Sequence, residues 1–245
     1  MDNWYTQSQV ILPSSCDFQG KLGVDQTFRM FMDIAAQHAE ALGVGMQPLL
    51  QKNLFWLTVR AKVKFLRRPG MLEEVSVSTQ PIAPEPGAMR CLREYRVEQG
   101  GAPLILGRTE WAVMDVRTGK PISMDGVFPE GTAFAAAPDY DAPFLRVAGS
   151  LANADVLGAY TVRSTDIDLG GHMNNVAYLR SLLGLISVAE QRAAEFSEAE
   201  AVFLAPCFEG ETLTFRTRQR DGAREFAAFR PEGKLALLAR LVPGK

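Results

Sequence analysis

Between residues 166 and 178 the chain reads Asp166-Ile167-Asp168-Leu169-Gly170-Gly171-His172-Met173-Asn174-Asn175-Val176-Ala177-Tyr178. Imidazole is the side chain that exchanges a proton near neutrality, so His172 is suited to general acid–base work. Asp168 lies four residues upstream, and a tight turn through Gly170 and Gly171 would bring its carboxylate to the imidazole or to a water. Asn174 stands where a helix would begin, placed both to cap that helix and to help hold a water. The amides around Gly171 and His172 then lack intrahelical acceptors, and such donors suit a developing oxyanion. The same residues fit a plain structural turn, in which His172 caps or packs and Asn174 and Asn175 satisfy backbone donors.

The turn needs a scaffold, and the chain has the composition for one. It is 245 residues long, 47% hydrophobic and 22% charged, which predicts a folded protein of one large domain or two modest ones. With 26 basic against 28 acidic residues the net charge is −2, which disfavours a nucleic-acid partner. Cys16, Cys91 and Cys207 are far apart, without a C-x-x-C pair, so neither a disulfide framework nor a metal or other cofactor is expected. The first ten residues lack the basic and apolar regions of a signal peptide, and no apolar run is long enough for a membrane span. A cytoplasmic setting is the expectation.

Apolar residues at Phe28, Phe31, Met32, Ala35, Ala39 and Leu42 make a helical stripe, with Gly43 placed to stop it. Phe55 to Phe65 alternates strictly, and strand-like runs follow at residues 72–82, 89–98 and 104–116. The second half repeats the order: a strand near 159–164, the glycine turn, and one helix through Val176, Leu179, Leu183, Ile186 and Glu190. Strands at 201–205, 212–220, 223–230 and 235–242 complete it, the middle pair joined by the hairpin signal Asp221-Gly222. Laying Asp17–Asp25 on Asp166–Asn174 puts Gly23 opposite His172, while Phe65 and Leu66 match Phe203 and Leu204. A duplicated unit follows, each copy a helix wrapped by a curved antiparallel sheet, which is an α+β fold.

The run from Asp166 to Tyr178 has the form DxDxxxHxNNxxY. Together with Trp56-Leu57-Thr58-Val59-Arg60, Trp111-Ala112-Val113-Met114-Asp115 followed by Arg117-Thr118, and the strand ending in Cys207, it resembles the plant-type fatty acyl-ACP thioesterases and their bacterial relatives over nearly the whole chain. The resemblance implies two tandem hotdog units: residues 1–127 shaping an acyl-chain tunnel, a linker at 128–150, and residues 151–245 supplying the catalytic groups. It implies hydrolysis of acyl-ACP thioesters to free fatty acid and holo-ACP, in fatty acid biosynthesis, with a 4′-phosphopantetheine-bearing acyl carrier protein as partner. Carried over by position, the family's aspartate falls on Asp168, its histidine on His172 and its late cysteine on Cys207. Two positions depart: an expected asparagine is Gly170, and the acid expected before the cysteine is Pro206, with Glu209 as a substitute if the segment stays extended.

Two routes to hydrolysis follow. His172 deprotonates a water held by Asp168 and Asn174, or Cys207 attacks as a thiolate and forms an acyl-enzyme. The water route is preferred, because nothing in the sequence makes the surroundings of Cys207 electropositive. Phe28, Met32 and Trp56 are candidates to flank the acyl chain, although such residues are more often core. Arg216, Arg218 and Arg220 share one strand face and could dock an acidic carrier; Arg60, Lys62 and Lys64 share another, and a solvated outer face is the plainer reading of both. The competing functions are an acyl-CoA thioesterase, a 3-hydroxyacyl-thioester dehydratase and a non-catalytic acyl-thioester binder. As a monomer or a homodimer, the chain would already carry both units.

Overall fold

The computed structural model describes residues 4–136, 138–145 and 151–244; residues 137 and 146–150 of the expected linker lie outside the described residues. The chain forms two compact units, Met1–Ala142 and Pro143–Lys245.

The first unit runs β1 (Tyr5–Val10), α1 (Val24–Ala41), α2 (Met46–Leu50), β2 (Leu54–Phe65), β3 (Glu74–Pro81), β4 (Cys91–Gln99), β5 (Ala102–Asp115) and the short β6 (Lys120–Pro121). Its strands pair antiparallel in the order β1-β3-β4-β5-β2, with β6 against β5. Of the predicted apolar stripe, Phe28, Phe31, Ala35 and Ala39 lie on the buried face of α1 with Val24, Thr27, Met30, Ile34 and His38, whereas Met32 is half-buried and Leu42 is the C-cap; Gly43 at φ +73° follows the helix end. Phe31 of α1 stacks on Tyr95 of β4, centroids 4.4 Å apart, and Gly107 of β5 leaves room for its ring. His38, also buried, accepts from Arg93 Nη1 at 3.0 Å and stacks on Tyr5. Burial, and then the Arg93 charge, hold its pKa down to about 4, so it is a neutral core histidine.

The charged face of β2 departs from expectation: it is largely covered, with Arg60 and Lys64 partly exposed and Lys62 buried. Lys62 is 1% exposed, its ammonium 4.3 Å from the centre of the Tyr140 ring. Arg60 and Arg90 share Glu110 at 2.8 and 3.0 Å, Arg108 pairs with buried Glu94, and Arg96 pairs with Asp139. Phe128 packs on Trp56 and Phe134 on Phe128, so part of the 128–142 segment lies against the first unit. Alternation assigned these cations to one face; it carried no information about what covers that face.

The second unit runs β7 (Asp155–Thr161), α3 (Asn175–Gly184), α4 (Val188–Ala194), β8 (Glu198–Phe203), β9 (Thr212–Arg220), β10 (Ala223–Phe229) and β11 (Leu235–Val242). Its sheet order is β7-β9-β10-β11-β8, the first unit's order strand for strand. Asp221 and Gly222 both have positive φ, +50° and +71°, as the β9–β10 hairpin turn requires. The single helix expected through Glu190 is two. α3 ends at Gly184, and Ser187 starts α4 by accepting from Glu190 N–H while the Glu190 carboxylate receives the Ser187 N–H. The apolar spacing ran on through this capping box and concealed the break.

The duplication holds with a different alignment. The isolated bridges Cys16↔Leu22 and Ile167↔Met173 superpose at an offset of 151, as do the helix caps Gly23 and Asn174. Asp17 therefore faces Asp168, Gly20 (φ +71°) faces Gly171 (φ +74°), and Lys21, not Gly23, faces His172. A match of residue letters had favoured an offset two residues shorter, but hydrogen bonding fixes the register.

Gly107→Ala would set a methyl group against the Phe31 ring. Overpacking of this kind costs about 1–3 kcal/mol, read as a lower midpoint of urea unfolding at unchanged slope.

Candidate active site

The candidate run from Asp166 folds as a short turn tied at both ends. Asp168 N–H donates to His172 C=O and Gly171 N–H to Asp168 C=O, each at 3.0 Å, while Asn174 N–H donates to Asp166 C=O at 2.8 Å. Met173 N–H donates to Cys207 C=O at 2.8 Å, which fastens the turn to the chain leaving β8. Asn174 then caps α3, its Oδ1 accepting Val176 N–H at 2.8 Å.

This geometry brings Asp168 and His172 together. Asp168 Oδ1 accepts Gly170 N–H at 2.8 Å and lies 3.7 Å from His172 Nδ1. Both side chains are about one-third exposed, so solvent reaches the pair. Gly171 N–H, one of the two expected oxyanion donors, is committed to the turn; His172 N–H has no acceptor among the described residues.

Sequence reasoning overlooked the clamp beneath the turn. Asp166 is 2% exposed and receives Tyr160 OH at 2.7 Å, Arg163 N–H at 2.8 Å and Arg180 Nη2 at 2.5 Å. Burial pushes its pKa up, but these three donors outweigh burial and leave the carboxyl below its ordinary range. The signal was available: Asp166 opens the motif, and Arg180 sits on the helix that the motif caps.

Cys207 is fully buried. Burial raises its thiol pKa, against the hydrogen bond with Tyr178, whose hydroxyl also donates to Ala205 C=O at 3.0 Å. The residues after it do not stay extended: Glu211 N–H donates to Phe208 C=O at 3.1 Å, and Glu209 is exposed on that turn. The carboxylates whose charges act on the thiol are instead Glu211 and Glu232, and Arg230 grips Glu211 with two nitrogens. Those bonds lower the Glu211 pKa.

The remaining candidates are scattered. Phe28 is buried on α1, Met32 takes a 3.6 Å contact from the Thr58 hydroxyl, and Trp56 Nε1 donates to Val44 C=O at 2.8 Å. On β9, Arg216 donates to Ala154 C=O at 2.8 Å, Arg218 binds Glu225 at 2.7 Å and Arg220 lies 3.4 Å from Asp221, so each already has an acceptor within its own unit. Among the described residues, no cluster of His, Cys, Asp and Glu could hold a metal, and no helix is long and apolar enough to cross a membrane.

Comparison with known proteins places this turn in context. Residues 2–128 match the acyl-ACP thioesterase N-terminal domain, and residues 150–230 match the acyl-ACP thioesterase C-terminal domain. No curated protein matches the sequence. Among solved structures, an acyl-ACP thioesterase from Bacteroides thetaiotaomicron is similar at TM-score 0.86 and 20% identity, over 98% of this chain and 97% of that one. A 12:0-ACP thioesterase from Umbellularia californica follows at TM-score 0.82 and 17% identity, over 98% of each chain. An oleoyl thioesterase (putative) from Lactobacillus plantarum has TM-score 0.79 and 14% identity, over 99% and 98%. At these identities the structures speak to the fold alone, which is the hotdog architecture.

The Asp166 clamp is tested by Asp166→Ala, which strands buried donors and should cost about 2 kcal/mol near neutral pH. The native carboxyl has a lowered pKa, so its contribution is complete above about pH 4 and fades as pH falls through that lowered value. Urea titrations of both proteins should therefore converge in strong acid.

Proposed function

The chain belongs to the acyl-ACP thioesterase family and hydrolyses acyl-ACP thioesters, and from that premise we propose that the Asp168–His172 turn at the start of α3 carries the reaction by activating water. The observation behind this reading is the pairing of imidazole and carboxylate at 3.7 Å, both open to solvent, on a turn fixed by backbone bonds.

His172 takes a proton from a water, which attacks the thioester carbon. Asp168 orients the ring and stabilises the imidazolium, the 3.7 Å separation closing as charge develops. The carbonyl oxygen becomes an oxyanion at the His172 N–H, a turn amide not committed to the turn itself. Asn174 uses Oδ1 for the helix cap and keeps its NH2 group for the water. When the intermediate collapses, the carbon–sulfur bond breaks and the imidazolium proton passes to the departing thiolate. The products are a free fatty acid and holo-ACP. Cys207 belongs to the packing, since a buried thiol with a raised pKa is a poor nucleophile.

The natural substrate in this reading is an acyl chain on the 4′-phosphopantetheine arm of a cytoplasmic acyl carrier protein, released during fatty acid biosynthesis. The first unit would shape the acyl tunnel, with Phe28, Met32 and Trp56 as lining candidates, and the second unit would supply the chemistry.

His172→Ala should lower kcat on acyl-ACP by about 10²–10⁴-fold. Cys207→Ala should keep turnover near wild type, and its collapse to the His172→Ala level would replace the water route with an acyl-enzyme. Thiol release from acyl-ACP, without appearance of an enoyl product, separates hydrolysis from a dehydratase reaction.

A further inference from the structure

We propose that a cavity at the end of α1 in the first unit is a binding site, and that its ligand is a small neutral ring compound carrying a carboxamide. The site does not depend on the role given to His172 above. Within its own unit, the 18 residues of α1 separate it from the turn that matches 168–172, about 27 Å at the helical rise.

The cavity holds about 430 Å³, a volume within the range of small-molecule sites, and Trp4, Tyr5, His38, Leu42, Pro129 and Glu130 line it. The wall formed by residues 129–133 is fastened to β3. Gln80 Nε2 donates to Ala133 C=O at 2.7 Å, and Ala135 N–H donates to Pro81 C=O at 2.8 Å.

His38 supplies an unused donor. Arg93 Nη1 lies 3.0 Å from His38 Nδ1, and a guanidinium can only donate, so Nδ1 accepts and the hydrogen of the neutral ring sits on Nε2. That N–H has no acceptor among the described residues, and Nε2 is not sealed from solvent as the unpaired Gln80 Oε1 is. On a side chain only 7% exposed that lines the cavity, the N–H opens into it. What it lacks is a ligand atom that accepts.

The surrounding charge selects among acceptors. Buried Arg93 stands behind the ring and polarises its N–H, while the groups Arg93 itself donates to, His38 Nδ1 and Thr79 Oγ1, are neutral. At the mouth the field is reversed: Glu130 is exposed there, and the C-terminal end of α1 carries partial negative charge. Arg96, stacked 3.9 Å over the Trp4 ring, is paired with Asp139. A carboxylate entering the cavity would meet Glu130, whereas a carboxamide offers its C=O to His38 and its N–H to Glu130. Trp4 and Tyr5 give a ring an aromatic surface to pack on.

The probes are benzamide and benzoate, alike in size and different in charge, followed by imidazole NMR. The chain has two histidines, and His172→Ala assigns their signals. Benzamide should shift the His38 Nε2–H signal, leave His172 in place and bind with a Kd of about a millimolar, as its few atoms allow. Benzoate should bind about tenfold more weakly, and Glu130→Gln should recover most of that difference. His38→Asn keeps an oxygen for Arg93 but withdraws the donor from the cavity, so benzamide affinity should fall about tenfold at an unfolding temperature close to wild type. An unmoved His38 signal at ten times the expected Kd, equal binding of benzoate, or unchanged affinity in His38→Asn would each overturn the proposal. If His38→Asn fails to fold, the wild-type shifts and the Glu130→Gln comparison decide it.

Discussion

In each unit the long helix is entered through a turn whose last amide before the cap is bonded to the chain leaving a strand. Leu22 N–H donates to Pro69 C=O in the first unit, and Met173 N–H donates to Cys207 C=O in the second, each at 2.8 Å. A backbone donor taken out of water needs a partner, so this bond sets where the helix begins relative to the sheet and leaves the turn little freedom. The comparison also bears on Cys207. Its position in the fold demands a carbonyl, which a proline supplies equally well in the twin; the sulfur is not what the scaffold requires there.

The two turns share a backbone and differ in what their side chains leave available. In the first, Asp17 receives the amides of Gln19 and Lys21 and is gripped by Arg68, which also donates to Leu22 C=O. A carboxylate so held is neutralised and walled off. In the second unit Arg68 is replaced by Pro206, which brings neither charge nor donor, and Asp168 keeps the Gly170 amide and the nearby imidazole. On the proposed mechanism, acid–base chemistry in one copy follows from three exchanges on a common frame: guanidinium to proline, lysine to histidine and glutamine to glycine. Holding the frame constant is the part played by Asp166 and its three donors, which sit beneath the turn without facing the pair.

Much of this was legible in the sequence, for identifiable reasons. β2 announced itself by period two, the β9–β10 hairpin by Asp221-Gly222, and α1 by its stripe, because each is a local pattern with a local cause. The Asp168–His172 pair was legible because a four-residue spacing across two glycines leaves few conformations. The failures were non-local or concealed by continuity. The apolar rhythm of α3 ran on into α4, and Ser187 with Glu190 cut it. Lys62 reads as a surface residue until Tyr140, distant in sequence, is found over it. The overlay slipped by two residues because similar letters outweighed the hydrogen bonds that define equivalence.

The replacement of an acidic residue by Pro206 narrows the choice of base. A carboxylate accepts a proton from water more readily as its pKa rises, and Glu211, one of the carboxylates that act on Cys207, is driven the other way by Arg230. Glu209 faces solvent on a turn that does not hold it toward the site. Cys207 would have to ionise without solvent around it, which burial opposes. His38 is kept neutral in the core of the other unit, beneath Tyr5 and beside Arg93. His172 is left as the group that combines access to water, a neighbouring carboxylate to stabilise its cation and an amide directed at neither. On the proposed water route a proline at 206 is compatible with hydrolysis, because that route rests proton transfer on the Asp168–His172 pair and asks of the residue before Cys207 only that it carry the chain past.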